Sequence, residues 1–130
     1  MRAFKIVAYV IGVSQLALGA IYLLAPIWFI TWQGLTTPAA DAAYPMAMLA
    51  GRFLVYGVGM FVIANDPIKH RFWAQGMIAI QLVDLGAGLF LVATGTVALA
   101  HAALPIFDAA LFAGALYVTL GWAQRQNALA

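Results

Sequence analysis

Cysteine and glutamate are absent from this chain of 130 residues, and charged residues of any kind are scarce. The lack of cysteine excludes thiol–disulfide chemistry, including the kind that links some four-helix membrane enzymes to quinones. The lack of glutamate removes the membrane-embedded glutamate that small multidrug transporters use. The two histidines, His70 and His101, lie in separate connecting segments, so the sequence does not favour a shared haem or metal site.

The scarcity of charge also decides the class of protein. Six basic and four acidic residues make up 8% of the chain, whereas soluble domains usually carry about 25% charged residues. Hydrophobic residues account for 66%, and the mean hydropathy is +1.00. This composition predicts one integral membrane domain over residues 1–130. A net charge of +2 gives no reason to expect nucleic-acid binding.

Four apolar stretches are long enough to cross a bilayer, which takes roughly 20 residues of helix. They cover residues 5–25, 46–64, 73–94 and 105–122, and they predict an all-α fold, a bundle of four transmembrane helices. The first stretch is too long for the apolar core of a signal peptide, and we expect it to be retained. Residues 26–35 are apolar but too short to span, so they are predicted to lie flat at the membrane interface.

Positive charge predicts the orientation of the helices. Five of the six basic residues flank the predicted helices on one side: Arg2, Lys5, Lys69, Arg71 and Arg125. The connections on the other side, residues 26–45 and 95–104, contain no lysine or arginine. Because basic residues favour the cytoplasmic side, both termini are predicted to be cytoplasmic. The tryptophans fall in two pairs that suit opposite interfaces, Trp28 with Trp32 and Trp73 with Trp122.

Turn residues and small residues predict how the helices pack. The short turn at residues 65–71, which contains Pro67, predicts that the second and third spanning helices are antiparallel neighbours. Small residues recur along the spans and allow close approach of helices in lipid. We therefore expect tight packing within the bundle, or else a groove for a ligand, at Gly12, Gly19, Gly51, Gly59, Gly86, Gly88, Ala110, Gly114 and Gly121.

Arg52 and Asp84 are the most informative residues, because each is an isolated charge inside an apolar stretch. Charges inside a membrane normally pair and face the protein interior or a water-filled cavity. At 1.5 Å rise per residue, both lie about 16–18 Å from the inner ends of their helices. Helical spacing and depth place Gln15, Tyr56 and Gln81 near them. Asp108 lies closer to the outer end of the last helix, where it either extends the cluster outward or lies in an outer vestibule. The candidate site is therefore Gln15, Arg52, Tyr56, Gln81, Asp84 and Asp108.

Three interpretations of this polar cluster remain open on the sequence alone. Arg52 and Asp84 can form a structural ion pair, with Gln15 and Gln81 satisfying the remaining donors and acceptors. The cluster can instead line a pocket that binds a small ligand or handles protons. One or both charges can also face a partner protein. Arginine suits an anionic or carbonyl-bearing ligand, because its guanidinium offers a planar fork of donors.

The order of several short motifs resembles a known group of proteins. These motifs are Leu23-Leu24-Ala25-Pro26, Gly51-Arg52 followed by Gly57 and Gly59, Asn65-Asp66-Pro67 followed by His70-Arg71, and then Asp84. Together they resemble the small bacterial four-helix membrane proteins of the DoxX-like and DUF4345-like families. The resemblance implies a four-helix bundle in a bacterial inner membrane. Some DoxX-type proteins are associated with respiratory or redox complexes as membrane subunits.

Two functions from different classes follow as expectations. The first is a non-catalytic accessory or ligand-binding subunit that self-associates into a homo-oligomer or joins a larger membrane complex. The alternative is a membrane enzyme or transporter that uses the Arg52–Asp84 pocket on a lipophilic or anionic small molecule. No metal or cofactor is predicted, although a bound lipid or quinone is compatible with either function.

Overall fold

Five α-helices make up most of residues 2–129, the part of the chain that the computed structural model describes, and no strand occurs in that part. In chain order they are α1 (Arg2–Leu24), α2 (Pro26–Trp32), α3 (Ala43–Asn65), α4 (Arg71–Ala93) and α5 (Leu99–Ala128). A single 3-10 turn, Ala40–Ala42, leads into α3.

Four of these helices are long and apolar enough to cross a membrane. Their most apolar stretches have mean hydropathies of 2.0, 1.8, 1.9 and 1.7 for α1, α3, α4 and α5. The predicted all-α fold with four spanning helices is therefore confirmed, and it indicates an integral membrane protein. The remaining helix, α2, has 7 residues and is too short to span. Its placement at the membrane interface stays a prediction.

The ends of the helices follow from local chemistry. Pro26 opens α2, where its missing N–H is no loss. After α3, the Asp66 Oδ1 accepts a hydrogen bond of 3.0 Å from the Lys69 N–H and closes the turn. After α4, Gly95 adopts a φ of +73°, a conformation that favours glycine and ends a helix.

The last helix differs most from its predicted bounds, 105–122. It begins six residues earlier, at Leu99, and continues to Ala128. Pro105 lies inside it, so the carbonyl of His101 loses its usual helical donor. The helix nevertheless forms because residues 99–104 are rich in alanine and leucine, which have high helix propensity.

The spanning helices form two closely packed pairs, α1 with α3 and α4 with α5. α1 also packs on α5, whereas α3 and α4 touch over a smaller area. Those two helices are neighbours, as their short turn predicts, but side chains hold them apart. The Tyr56 and Trp73 rings lie between them with centroids 6.3 Å apart, and the Tyr56 hydroxyl reaches Gly76.

Glycines explain the closeness of α1 and α3. A Cβ atom added at Gly57 would lie 2.8 Å from Leu16 Cγ, and one at Gly19 would lie 2.8 Å from Leu54 Cγ. A Cβ at Gly12 would lie 3.1 Å from the Gly57 carbonyl oxygen. The predicted role of small residues in tight packing is thus confirmed at this interface.

Tight packing does not extend to a second group of glycines, so at these positions the alternative of a groove for a ligand stays a prediction. No atom lies within 4 Å of a Cβ added at Gly51, Gly59, Gly86, Gly114 or Gly121. A Cβ at any of these positions would not touch a neighbouring helix, and Gly59 and Gly121 line cavities. The interface of α4 with α5 depends instead on Gly88, where an added Cβ would lie 2.7 Å from Ile106 Cγ1.

The buried core lies at one end of the bundle. Its residues come from the first halves of α1 and α4, the second half of α3, and α5 from its middle onward: Phe4, Ala8, Ile11, Met60, Ile63, Ala64, Ala74, Met77, Phe112, Leu116 and Leu120. All basic residues except Arg52 lie at the same end of the helices, which we call the basic end. Above the core, the helices do not fill the space between them.

Candidate functional site

A cavity of about 550 Å³ occupies the half of the bundle away from the basic end. All five helices contribute side chains to its walls. Five of the six site residues predicted from the sequence line it: Gln15, Arg52, Gln81, Asp84 and Asp108. The structure therefore gathers polar groups from α1, α3, α4 and α5 around one space.

Arg52 and Asp84 meet across this cavity in a two-pronged ion pair. Arg52 Nη1 donates to Asp84 Oδ1 at 3.3 Å, and Nη2 donates to Oδ2 at 3.1 Å. The two side chains keep 32% and 36% of their surface exposed, so the pair borders the cavity rather than being sealed in the core. Paired donors and acceptors of this kind fix orientation as well as distance.

The rest of the guanidinium is held by an aromatic ring. Arg52 Cζ lies 4.9 Å from the centroid of the Phe53 ring, within the range of a cation–π interaction. Its Nε is buried and finds no acceptor among the described residues. The orientation of Arg52 is therefore set by Asp84 and Phe53, while the outer N–H groups of its two terminal nitrogens are available to the cavity.

Neutral polar groups form the floor of the cavity, directly above the core. Gln15 and Gln81 are only 3% and 4% exposed. Gln81 Nε2 donates to the Met77 sulfur at 3.6 Å, which is a weak hydrogen bond. The Ser14 hydroxyl oxygen is buried without a partner among residues 2–129. These groups retain hydrogen-bonding capacity that a bound molecule can use.

Three aromatic side chains form one wall. The Tyr22 ring packs edge-on against Phe29, with centroids 5.3 Å apart, and lies 5.5 Å from Phe53. All three line the cavity, and they join α1, α2 and α3. The short helix α2 therefore belongs to the site. Sequence reasoning left these residues out, although Tyr22 shares a helical face with Gln15 and Gly19.

Asp108 lies elsewhere on the cavity wall, one turn after Pro105 in α5. It is half-buried, and no described residue forms an ion pair or hydrogen bond with its carboxylate. Because α5 begins at Leu99, Asp108 is the tenth residue of this helix, and its role as an outward extension of the cluster stays a prediction. The cavity thus holds one cationic and two acidic side chains, of which one acidic group is unpaired.

No family model matches this chain, and no curated protein or solved structure matches it either. The resemblance to the DoxX-like families therefore stays a prediction. The chemistry of the cavity is the basis for a function.

Tyr56 is the one predicted site residue that does not line this cavity. It lies one turn along α3 from Arg52, toward the basic end, and contributes to a second, smaller cavity of about 330 Å³. Trp73, His70 and several valines complete that space. Helical spacing correctly placed Tyr56 on the face of Arg52. The packing of its ring against Trp73, however, separates it from the polar cluster.

The segment after α2 lies against the start of α5 beside the cavity. Gly34 follows α2 with a φ of +81°, and a Cβ at this position would lie 2.6 Å from His101 Nδ1. His101 lies in the first turn of α5, close to the cavity residues Leu104 and Pro105. This contact fixes α2, and with it Phe29, against the start of α5.

We expect Gly34→Ala to lower stability by about 2 kcal/mol, because it combines an unfavourable φ with a clash against His101. Gly95→Ala is the matched control, since Gly95 has a φ of +73° but no atom within 4 Å of an added Cβ. Gly95→Ala should lower the free energy of unfolding by about 1 kcal/mol, the effect of the unfavourable φ alone. Unfolding in detergent measures both, and equal losses would show that the His101 contact is unimportant.

Proposed function

We propose that this integral membrane protein binds a small, largely apolar molecule with one polar end in the cavity between its helices. The observation that carries the proposal is a cavity of about 550 Å³ with a polar floor and apolar walls. Ligand sites in proteins commonly measure about 300–1,000 Å³ and combine apolar walls with a few polar groups. Helix bundles also build their ligand and cofactor sites between helices, from side chains on facing helices.

The polar end of such a molecule fits the floor. After pairing with Asp84, the two terminal nitrogens of Arg52 each retain one N–H, so a carbonyl or similar acceptor can be bound without breaking the ion pair. Gln15 and Gln81 add amide groups at the same level. Leu18, Ile21 and other apolar side chains suit the remainder of the molecule. Quinones, isoprenoids and lipids share this division into a polar and an apolar part.

Assembly into a homo-oligomer or a larger membrane complex is part of the proposal. The glycines with open surfaces, Gly51, Gly59, Gly86, Gly114 and Gly121, support it. Small residues on the outside of membrane helices allow another helix to approach closely. In this view the chain is a ligand-binding or accessory subunit, and its own bundle supplies the binding site.

The location of the protein in the bacterial inner membrane, with both termini in the cytoplasm, belongs to the same proposal. Four spanning helices bring the two ends of the chain to the same side of the bundle. Arg2, Lys5, Lys69, Arg71 and Arg125 gather there, which supports a cytoplasmic basic end. The bacterial origin rests on the family resemblance.

Filling the cavity should abolish binding. Ala109 is 3% exposed and lines the cavity, so Ala109→Phe places a ring inside it. Ala110→Phe is the matched control, because Ala110 is exposed and does not line the cavity. With triphenylphosphine oxide as a neutral probe carrying one strong acceptor, we expect at least about a tenfold loss of affinity for Ala109→Phe. Ala110→Phe should bind normally.

Equilibrium dialysis of the protein in lipid nanodiscs, corrected for uptake by empty nanodiscs, measures this affinity. Gel filtration confirms that both variants remain folded and monodisperse. Equal binding by the wild type and Ala109→Phe would overturn the proposed function, because the probe would then be held outside the cavity.

A further inference from the structure

The charges around the cavity do not balance. Arg52 and Asp84 neutralise each other through two hydrogen bonds of 3.3 and 3.1 Å. Asp108 lines the same cavity, and no described residue supplies it with a counter-charge. When all three groups are ionised, the cavity carries one net negative charge. An isolated carboxylate in apolar surroundings is unfavourable, so a cation that enters the cavity gains from neutralising it.

The aromatic wall favours the same kind of ligand. Tyr22, Phe29 and Phe53 line the cavity and are packed into one cluster, with centroid distances of 5.3 and 5.5 Å. The negative faces of aromatic rings attract ammonium and other onium groups. The Phe53 ring already holds the Arg52 guanidinium at 4.9 Å, so Tyr22 and Phe29 are the rings of this wall that remain for a bound cation. Resting on the proposed ligand-binding function, we propose that the cavity selects a lipophilic organic cation, whose charge is recognised by Asp108 and the aromatic wall.

An anionic ligand, which Arg52 alone had suggested, is disfavoured by the same geometry. The guanidinium already faces Asp84 with both terminal nitrogens, and its Nε is buried. An anion that displaced Asp84 would leave a second carboxylate uncompensated. It would also share the cavity with Asp108. A neutral molecule avoids this repulsion but does not neutralise Asp108.

Two probes of nearly the same shape distinguish the effect of ligand charge on affinity from the effect of ligand shape. Methyltriphenylphosphonium is a permanent cation, and triphenylphosphine oxide is its neutral counterpart. In nanodiscs of neutral lipid, we expect the wild type to bind the cation about tenfold more tightly than the oxide. Asp108→Asn, which keeps the shape of the side chain, should lower affinity for the cation about tenfold and leave affinity for the oxide unchanged.

Asp41→Asn provides the matched control. Asp41 is exposed in the turn before α3, so this variant has the same change in net charge without altering the cavity. It should bind both probes as the wild type does. An equal loss of cation binding in Asp41→Asn and Asp108→Asn would overturn the inference, because it would reveal a general effect of net charge.

The outcomes also separate this inference from the proposed function. If both probes bind equally and Asp108→Asn has no effect, but Ala109→Phe removes binding, the cavity binds ligands without selecting cations. If Ala109→Phe leaves the binding of both probes intact, the cavity is not the binding site and both proposals fail.

Discussion

Replacing Arg52 by leucine is expected to destabilise the protein by about 2–3 kcal/mol, and replacing Asp84 as well should recover most of that loss. A single substitution leaves one charge facing the cavity without its partner. For fully buried pairs this effect reaches about 3–5 kcal/mol, and partial exposure of both side chains reduces it. The double substitution removes both charges and leaves an apolar contact in their place.

A double-mutant cycle of Arg52→Leu, Asp84→Leu and their combination measures this coupling through unfolding in detergent. Arg71→Leu serves as the control, because Arg71 is exposed at the first residue of α4. Its loss should stay within about 0.5 kcal/mol. If the double variant were as unstable as Arg52→Leu alone, the loss would not come from the unpaired charge of Asp84. The ion pair would then stabilise the fold through its own hydrogen bonds and packing.

The same double variant tests whether the ion pair also contacts the ligand. A folded double variant that binds triphenylphosphine oxide normally would assign Arg52 and Asp84 a structural role only. A folded double variant with weaker binding of the oxide would show that the free N–H groups of Arg52 contact the acceptor. The single variants give a less clear answer, because each introduces an unpaired charge.

The pairing of Arg52 with Asp84 could be predicted because two independent constraints act on it. Charge is unfavourable in lipid, so isolated charges seek each other. The helical rise then places both residues at a similar depth, and the structure brings their side chains to 3.1 Å. The four spans could be predicted for a similar reason, since a long apolar helix satisfies all its backbone hydrogen bonds internally in a bilayer.

The rotation of each helix about its axis was much harder to predict. In a soluble bundle, the apolar face marks the inside, but in a membrane both faces are apolar. Nothing in the sequence therefore distinguishes Gly57, which contacts α1, from Gly51, which has no neighbour within 4 Å. The division of the bundle into a filled and a hollow half depends on these rotations. For that reason Phe29 and Phe53 could not be assigned to the aromatic wall from the sequence, whereas the helical face that Tyr22 shares with Gln15 could have indicated Tyr22.

Replacing Gly57 by valine is expected to disrupt the packing of α1 against α3 and to lower the free energy of unfolding by about 3 kcal/mol. An added Cβ lies 2.8 Å from Leu16 Cγ and 3.1 Å from the Leu16 backbone nitrogen. A side-chain rotation relieves the first contact but not the second. Gly51→Val is the matched control on the same helix, and its effect should stay within about 0.5 kcal/mol.

Combining Gly57→Val with Leu16→Ala distinguishes the two sources of this loss. If the added side chain collided only with the Leu16 side chain, Leu16→Ala would restore the stability that Gly57→Val loses. A double-mutant cycle measures this recovery as the coupling free energy between the two substitutions. We expect only partial recovery, because the Leu16 backbone remains too close.

Gln15 precedes Leu16, and Phe53 lies one turn before Gly57, so separation of α1 from α3 should also widen the cavity floor. Gly57→Val should therefore bind triphenylphosphine oxide more weakly than Gly51→Val does.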